Sequence, residues 1–232
     1  MWRALDVGSS LVATLARAGA GMRVGALGPR PAEPLALYDF EACPFCRKVR
    51  EALSVLDLEV LVHPCPKDGP RFRRLVVERG GTEQFPWLCD PNTGTELYES
   101  GDIVRYLFAH YGAGAVPWLL ATPVVTDVSS ALASLARPTR GRFYRPARRP
   151  ESLLELWSFE ASPFCRLVRE TLCEFELPYR LHNVAAGSPG REAFIARSGR
   201  MMVPYLHDPN TGAAMFESAD ICAYLESTYA LG

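Results

Sequence analysis

FEACPFCRKVRE, residues 40–51, returns in the second half of the chain as FEASPFCRLVRE, residues 159–170, with Ser162 where the first copy has Cys43. The match extends outward from this core. LALYDFEACPFCRKVREAL, beginning at Leu35, aligns with LELWSFEASPFCRLVRETL, beginning at Leu154, at a constant offset of 119 residues. After a one-residue deletion, FPWLCDPNTGTELYESGDIVRYL from Phe85 aligns with VPYLHDPNTGAAMFESADICAYL from Val203 at an offset of 118. Upstream, SSLVATLAR (residues 9–17) is similar to SSALASLAR (residues 129–137). Self-similarity over so much of the length makes the chain a tandem repeat.

The bulk properties agree with two ordinary domains. A chain of 232 residues accommodates two units of about 100 residues each. The formal net charge of −1 and 22% charged residues provide no field of one sign that would select nucleic acid. No apolar run approaches the roughly 20 residues that span a bilayer, and Arg17 interrupts the apolar N-terminal stretch that a secretory signal would need. Seven cysteines, with only Cys43 and Cys46 closely spaced, do not form a secreted disulfide framework. A soluble cytoplasmic protein with reduced thiols, no membrane contact and no nucleic-acid partner is expected.

Each repeat has the same local pattern. Leu35–Asp39 is a short apolar and aromatic run that suits a buried strand. Pro44 suits a first helical turn, where its missing N–H costs nothing, and Val49, Ala52, Leu53 and Leu56 follow at helical spacing. Residues 58–63 read as a strand and 71–79 as a helix stopped by Gly80-Gly81. Residues 85–89 and 96–98 flank the turn former DPNTG as a hairpin, and 102–110 close the unit as a helix. The expected order is β-α-β-α-β-β-α, an α/β unit present twice. Residues 1–34 and 116–153 are expected to supply a leading helix and a basic linker to units 35–115 and 154–232. Residues 1–34 contain Asp6 and Glu33 and continue into repeat-matched sequence, so they do not read as a transit peptide.

The chemistry concentrates at CPFC. Cys43 precedes a helix N-terminus and has Arg47, Lys48 and Arg50 nearby, conditions that lower a thiol pKa and favour the nucleophilic thiolate. Cys46, three residues on, is placed to attack a mixed disulfide at Cys43 and resolve it. A zinc half-site is the alternative for an isolated C-x-x-C. Cys65, Cys89 and the scattered histidines supply no second pair at ligand spacing, so no metal is expected.

Together, the element order, CPFC at the first strand-to-helix turn and a proline opening the third strand resemble the thioredoxin fold. More narrowly, each unit resembles the N-terminal glutathione-binding domain of glutathione S-transferases and the related glutaredoxins. The CPFC unit is similar to omega-class transferases and to the thioredoxin-like domain of membrane-associated prostaglandin E synthase. The whole arrangement resembles tandem proteins of plants and cyanobacteria.

The resemblance implies glutathione as co-substrate and a set of contacts for it. Pro86 and Pro204 would be cis, with the backbone of Phe85 and Val203 pairing the cysteinyl part of the ligand. Ser100 and Ser218 would hold its γ-glutamyl carboxylate at a helix N-terminus, with Glu99 and Glu217 meeting its amino group; an N-cap is the plainer role for both serines. Arg47, and Arg166 in the second copy, would face the glycyl carboxylate. Two activities follow. One is glutathione-dependent thiol–disulfide exchange at Cys43 with Cys46 resolving, on protein or small-molecule disulfides. The other is glutathione transfer or isomerisation, with the Ser162 hydroxyl stabilising the ligand thiolate. A third expectation makes repeat two a glutathione-binding or structural module without chemistry. Ordinary transferases carry a long helical domain after this unit, and without that wall an electrophile is expected to find little to bind.

Overall fold

In the computed structural model the described residues are 21–121 and 139–231; the leading helices expected at 9–17 and 129–137 lie outside them. The first repeat runs β1 (Leu35–Asp39), α1 (Pro44–Val55), β2 (Val60–Pro64), α2 (Phe72–Gly80), β3 (Trp87–Asp90), β4 (Thr95–Leu97) and α3 (Ser100–Tyr111), followed by the short α4 (Trp118–Ala121). The second runs β5 (Leu154–Ser158), α5 (Pro163–Glu174), β6 (Tyr179–Asn183), α6 (Arg191–Ser198), β7 (Tyr205–Asp208), β8 (Ala213–Phe216) and α7 (Ser218–Tyr229). The β-α-β-α-β-β-α order is present in both copies, with element ends one or two residues from the sequence expectation.

Alternation along the strands decides which face each helix covers. Leu35 and Leu37 point into a core shared with Val49, Leu53, Ile103 and Leu107 of α1 and α3. Tyr38 points the other way and packs with Trp87 and with Val76 of α2. Repeat two copies this arrangement, with Leu154 and Leu156 on one face and Trp157 against Phe194 of α6 on the other. The DPNTG turns do more than reverse the chain. Asp90 Oδ1 accepts from the Asn92 N–H at 2.8 Å, and its Oδ2 accepts from Tyr106 and Tyr111 of α3. Asn92 in turn exchanges two hydrogen bonds with the backbone of Glu33, each at 2.9 Å. Asp208, Asn210, Tyr224, Tyr229 and Ser152 repeat the lock.

The two repeats form one eight-stranded sheet, ordered β4-β3-β1-β2-β6-β5-β7-β8. Its seam is the antiparallel pair β2·β6, with Val60 opposite Leu181 and Val62 opposite Tyr179. Since β1 and β5 each run parallel to their neighbour at the seam, they run antiparallel to each other. The CPFC and SPFC turns therefore follow strands that point in opposite directions.

Above the seam, α1 and α5 meet through a buried ionic cluster. Arg169 forks onto Glu41, with Nη2 to Oε1 at 3.1 Å and Nε to Oε2 at 3.2 Å. Arg50 reaches Glu160 at 3.2 Å and also bonds Asp39, where repeat two has Ser158. Every residue of this set is less than a tenth exposed. Burial pushes the Glu41 carboxyl up, but Arg169 and Arg50 overcome it and hold Glu41 below the usual carboxylate range. At Glu160 burial wins, and that carboxyl is held above it.

The stretches read as linkers are straps. Arg142 and Tyr144, entering repeat two, bracket Lys67 of repeat one by hydrogen bonds of 2.6 and 2.9 Å. Met22 and Val24, entering repeat one, bracket Ala186 of repeat two at 2.9 Å each. Each strap crosses the seam beneath the opposite glutamate. Gly141 (φ +64) allows a close approach: a Cβ there would stand 2.7 Å from Cβ of Glu41.

Candidate glutathione site

In each repeat the motif turn delivers a side chain to the N-cap of the following helix. Cys43 adopts extended φ/ψ of −76° and 123°, and its Sγ accepts from the Cys46 N–H at 3.3 Å. Ser162, at −72° and 121°, accepts from the Cys165 N–H at 3.2 Å. Both are buried. Serine thus replaces the thiol without altering the cap, because either atom satisfies one of the unpaired N–H groups at the helix start.

The electrostatics assign the order of ionisation in the first repeat. The Cys46 thiol donates to Cys43, the N–H groups of Cys46 and Phe45 add to it, and Arg50 contributes charge; together they overcome burial and hold Cys43 below the ordinary thiol value. Burial, with Cys43 beside it, pushes the Cys46 thiol well up. Of the pair, Cys43 is the more acidic thiol and Cys46 its donor. The remaining thiols with resolved shifts, Cys65, Cys89, Cys173 and Cys222, are all pushed up, with burial the largest cause.

The Phe85–Pro86 and Val203–Pro204 peptides are both cis. Pairing of β3 with β1 begins at Trp87, so the backbone of Phe85 lies outside the ladder. The Phe85 ring meets Phe40 edge-on, with centroids 6.0 Å apart, which joins the cis-proline segment to the motif turn. Glu99 and Glu217 have φ of +62° and +66°, a left-handed backbone that non-glycine residues keep only where the surroundings enforce it. They, and not the serines, occupy the cap positions; Ser100 and Ser218 are the first residues of α3 and α7 and are buried. The N-cap role expected for Ser100 and Ser218 is corrected accordingly.

Arg47 requires a larger correction. Its Nε bonds Glu51 at 3.1 Å and lies 4.0 Å from Glu160, and its side chain is 2% exposed. Arg166 sits likewise between Glu41 and Glu160. Both arginines belong to the seam and are inaccessible to a ligand at the motif turn. The cation that does lie over the cis-proline segment is Arg73 of α2, which the sequence reading missed. Its guanidinium stands 4.7 Å from the Phe85 ring and 5.4 Å from Phe40, held by the carbonyls of Cys65 and Pro66 and by Glu83. Repeat two has Arg191, whose Nε bonds the Val184 carbonyl at 3.1 Å as Arg73 bonds that of Cys65, but Val203 in place of Phe85.

A cleft of about 440 Å³ lies between α5 and α7, lined by Phe164, Leu167 and Cys222 and reaching Glu217 and Ser218. Its size falls within the range of small-molecule sites. The expectation of little room for an electrophile is corrected here. Among the described residues, no group of three or more His, Cys, Asp or Glu is placed to hold a metal ion. All seven cysteines are free, and no helix of the described residues is long and apolar enough to cross a membrane.

The family model for the glutathione S-transferase N-terminal domain matches the chain twice, over residues 37–115 and 156–231. Among solved structures, a Bombyx mori glutathione transferase aligns at 26% identity over 37% of this chain and 39% of its own, with a TM-score of 0.33. A trimeric glutathione transferase of Leishmania aligns at 16% identity over 87% of this chain and 68% of its own, with a TM-score of 0.31. The chain spans well under half of the Bombyx mori protein's length. No curated protein matches.

Proposed function

Because the chain belongs to the glutathione S-transferase N-terminal domain family and carries that domain twice, we propose that it is a glutathione-dependent thiol–disulfide oxidoreductase acting at Cys43. The observation that carries this reading is the opposed tuning of the two motif thiols, one held low at a helix N-terminus and one buried as its donor. The Cys43 thiolate attacks a substrate disulfide, forming a mixed disulfide and expelling the second sulfur as a thiolate that takes up a proton. Glutathione thiolate then attacks at sulfur and regenerates Cys43. For a glutathionylated substrate the products are the reduced substrate thiol and oxidised glutathione. Where the substrate stays attached, Cys46 loses its proton and attacks Sγ of Cys43; the resulting Cys43–Cys46 disulfide is reduced by two glutathione molecules. Phe85 and Pro86 offer backbone to the cysteinyl part of the ligand, Glu99 and Ser100 receive its γ-glutamyl end, and Arg73 faces the glycyl carboxylate in place of Arg47. Its substrates are protein or small-molecule disulfides in a reducing, cytoplasmic setting.

The cleft favours a second reading for repeat two. Ser162, Val203, Pro204, Glu217 and Ser218 retain the glutathione frame, and the space beside Phe164 and Leu167 accommodates an apolar electrophile. There the Ser162 hydroxyl donates to the ligand thiolate and no mixed disulfide with the protein forms.

Reduction of hydroxyethyl disulfide with glutathione separates the two. Cys43→Ser is expected to abolish turnover and Ser162→Ala to leave it within about twofold. Retained turnover in Cys43→Ser overturns the oxidoreductase reading, whereas chlorodinitrobenzene conjugation lost only in Ser162→Ala establishes the second.

A further inference from the structure

Helix α2, which carries Arg73, has no side-chain cap of its own: Arg71 is at its N-cap and makes no capping bond. The acceptor comes from the other repeat. Glu176, in the turn after α5, places Oε1 at 3.1 Å from the N–H of Arg71 and 2.9 Å from that of Phe72. Its Oε2 takes the Arg71 guanidinium at 3.0 Å, and its carbonyl takes Arg71 Nη2. Glu176 is completely buried and keeps a left-handed φ of +51°. A carboxylate satisfies unpaired N–H groups at a helix start and complements the helix dipole.

The approach depends on Gly69. A Cβ at that position would come 2.8 Å from Glu176 Oε1 and 2.9 Å from the Pro66 carbonyl, the same carbonyl that holds Arg73. The reciprocal contact is built differently. Asp57 stands where repeat two has Glu176, also at φ +51°, but is one methylene shorter, and Ser188 stands in place of Gly69. Ser188 bonds Asp57 and itself accepts from the Gly190 N–H at 3.0 Å ahead of α6, whose Arg191 stands in the place of Arg73 but has Val203 where Arg73 has Phe85. Each repeat thus reaches under the other's helix, and only the Glu176–Gly69 combination delivers a carboxylate directly to the backbone.

We infer that Glu176 of the second repeat is a positioning residue for the first repeat's glutathione site: by capping α2 across the seam it fixes Arg73 over Phe85. The inference rests on the oxidoreductase reading with its ligand at Cys43, and it gives the serine-bearing repeat a role in that chemistry that needs no nucleophile. Specificity for the glycyl end of glutathione then depends on a residue of the opposite repeat.

The test uses the full-length protein and calorimetric binding of S-methylglutathione, an unreactive form of the ligand, alongside the pH profile of Cys43 alkylation. A helix cap corresponds to about tenfold in an equilibrium constant, so Glu176→Ala is expected to weaken binding about tenfold while leaving the alkylation profile in place. Gly69→Ser, which displaces the carboxylate, is expected to do the same, and adding Glu176→Asp, which recreates the Asp57–Ser188 pairing, to recover part of the loss. Unchanged affinity in a folded Glu176→Ala protein, whatever its melting temperature, overturns the inference. If Glu176→Ala does not fold, unchanged affinity in Gly69→Ser overturns it instead. Wild-type protein that binds no S-methylglutathione removes the underlying reading and the inference with it, whereas binding that survives Arg73→Ala removes the inference alone.

Discussion

Glu41 and Glu160 occupy equivalent positions in the two repeats, yet replacing each by glutamine is expected to have unequal effects. Glu41 receives both arms of the Arg169 fork and lies 3.4 Å from Arg50, and these cations hold it ionised below the usual carboxylate range. Glutamine there removes one anion from beside two arginines that are each about 1% exposed. Breaking a buried pair from one side leaves an uncompensated charge and costs about 3–5 kcal/mol. Glu160 accepts at Oε2 from Arg50 at 3.2 Å and pairs there with the Arg169 guanidinium 2.9 Å away, but its buried Oε1 has no hydrogen-bond partner. Burial holds this carboxyl toward its neutral form, which an amide imitates, so Glu160→Gln is expected to cost about 1 kcal/mol or less. Urea unfolding at pH 7, followed by the fluorescence of Trp87 and Trp157, compares the two variants, with an unchanged slope confirming that the same surface is exposed. Equal losses, or a larger loss for Glu160→Gln, refute the claim that the cluster shifts the acidities of its two glutamates in opposite directions.

Two further expectations concern titration. Cys46→Ala removes the thiol donor to Cys43 and leaves the N–H donors, so the Cys43 pKa is expected to rise. The pH dependence of iodoacetamide labelling, mapped to Cys43 by mass spectrometry, measures this, and an unshifted profile refutes the donor role. His63, stacked on Tyr38, has its pKa lowered to about 4 by burial and by Arg79. Below about 6.5 the unfolded chain binds a proton that the folded chain does not, so stability is lost as pH falls from there to about 4, by on the order of 3 kcal/mol. His63→Phe is expected to flatten this part of the pH dependence in urea unfolding; an unchanged dependence assigns the loss to other groups.

The element order was legible because each apolar run has a single periodicity and is bounded by Pro, Gly or Asn: Leu35–Asp39 by Pro34, α1 by Pro44, the hairpin by DPNTG. The motif thiols were legible for the same local reason, since a C-P-x-C turn defines its own helix start. Arg47 was misread because a charged helical face has the same appearance whether it meets water or another set of charges. Its partner Glu160 lies more than a hundred residues away, and nothing near Arg47 announces it. One signal did exist. Within the dodecapeptide both copies keep Glu41/Glu160, Arg47/Arg166, Arg50/Arg169 and Glu51/Glu170, while the reactive atom differs. A seam in which these residues meet one another explains why they persist together. Arg73 and Arg191 were passed over because the deletion between the repeats falls beside them and their contacts form only once the helix is docked.

The contacts across β2·β6 exchange roles: Arg50 meets Glu160 as Arg169 meets Glu41, and each strap holds the other repeat's loop. That reciprocity is the mark of an isologous dimer, here with its subunits joined in one chain. In a homodimer every substitution strikes both protomers, so a change that helps one site and harms the other has no net route forward. Covalent fusion removes that constraint. Asp39 against Ser158, Gly69 and Glu176 against Ser188 and Asp57, and Cys43 against Ser162 are paired differences that a homodimer cannot hold.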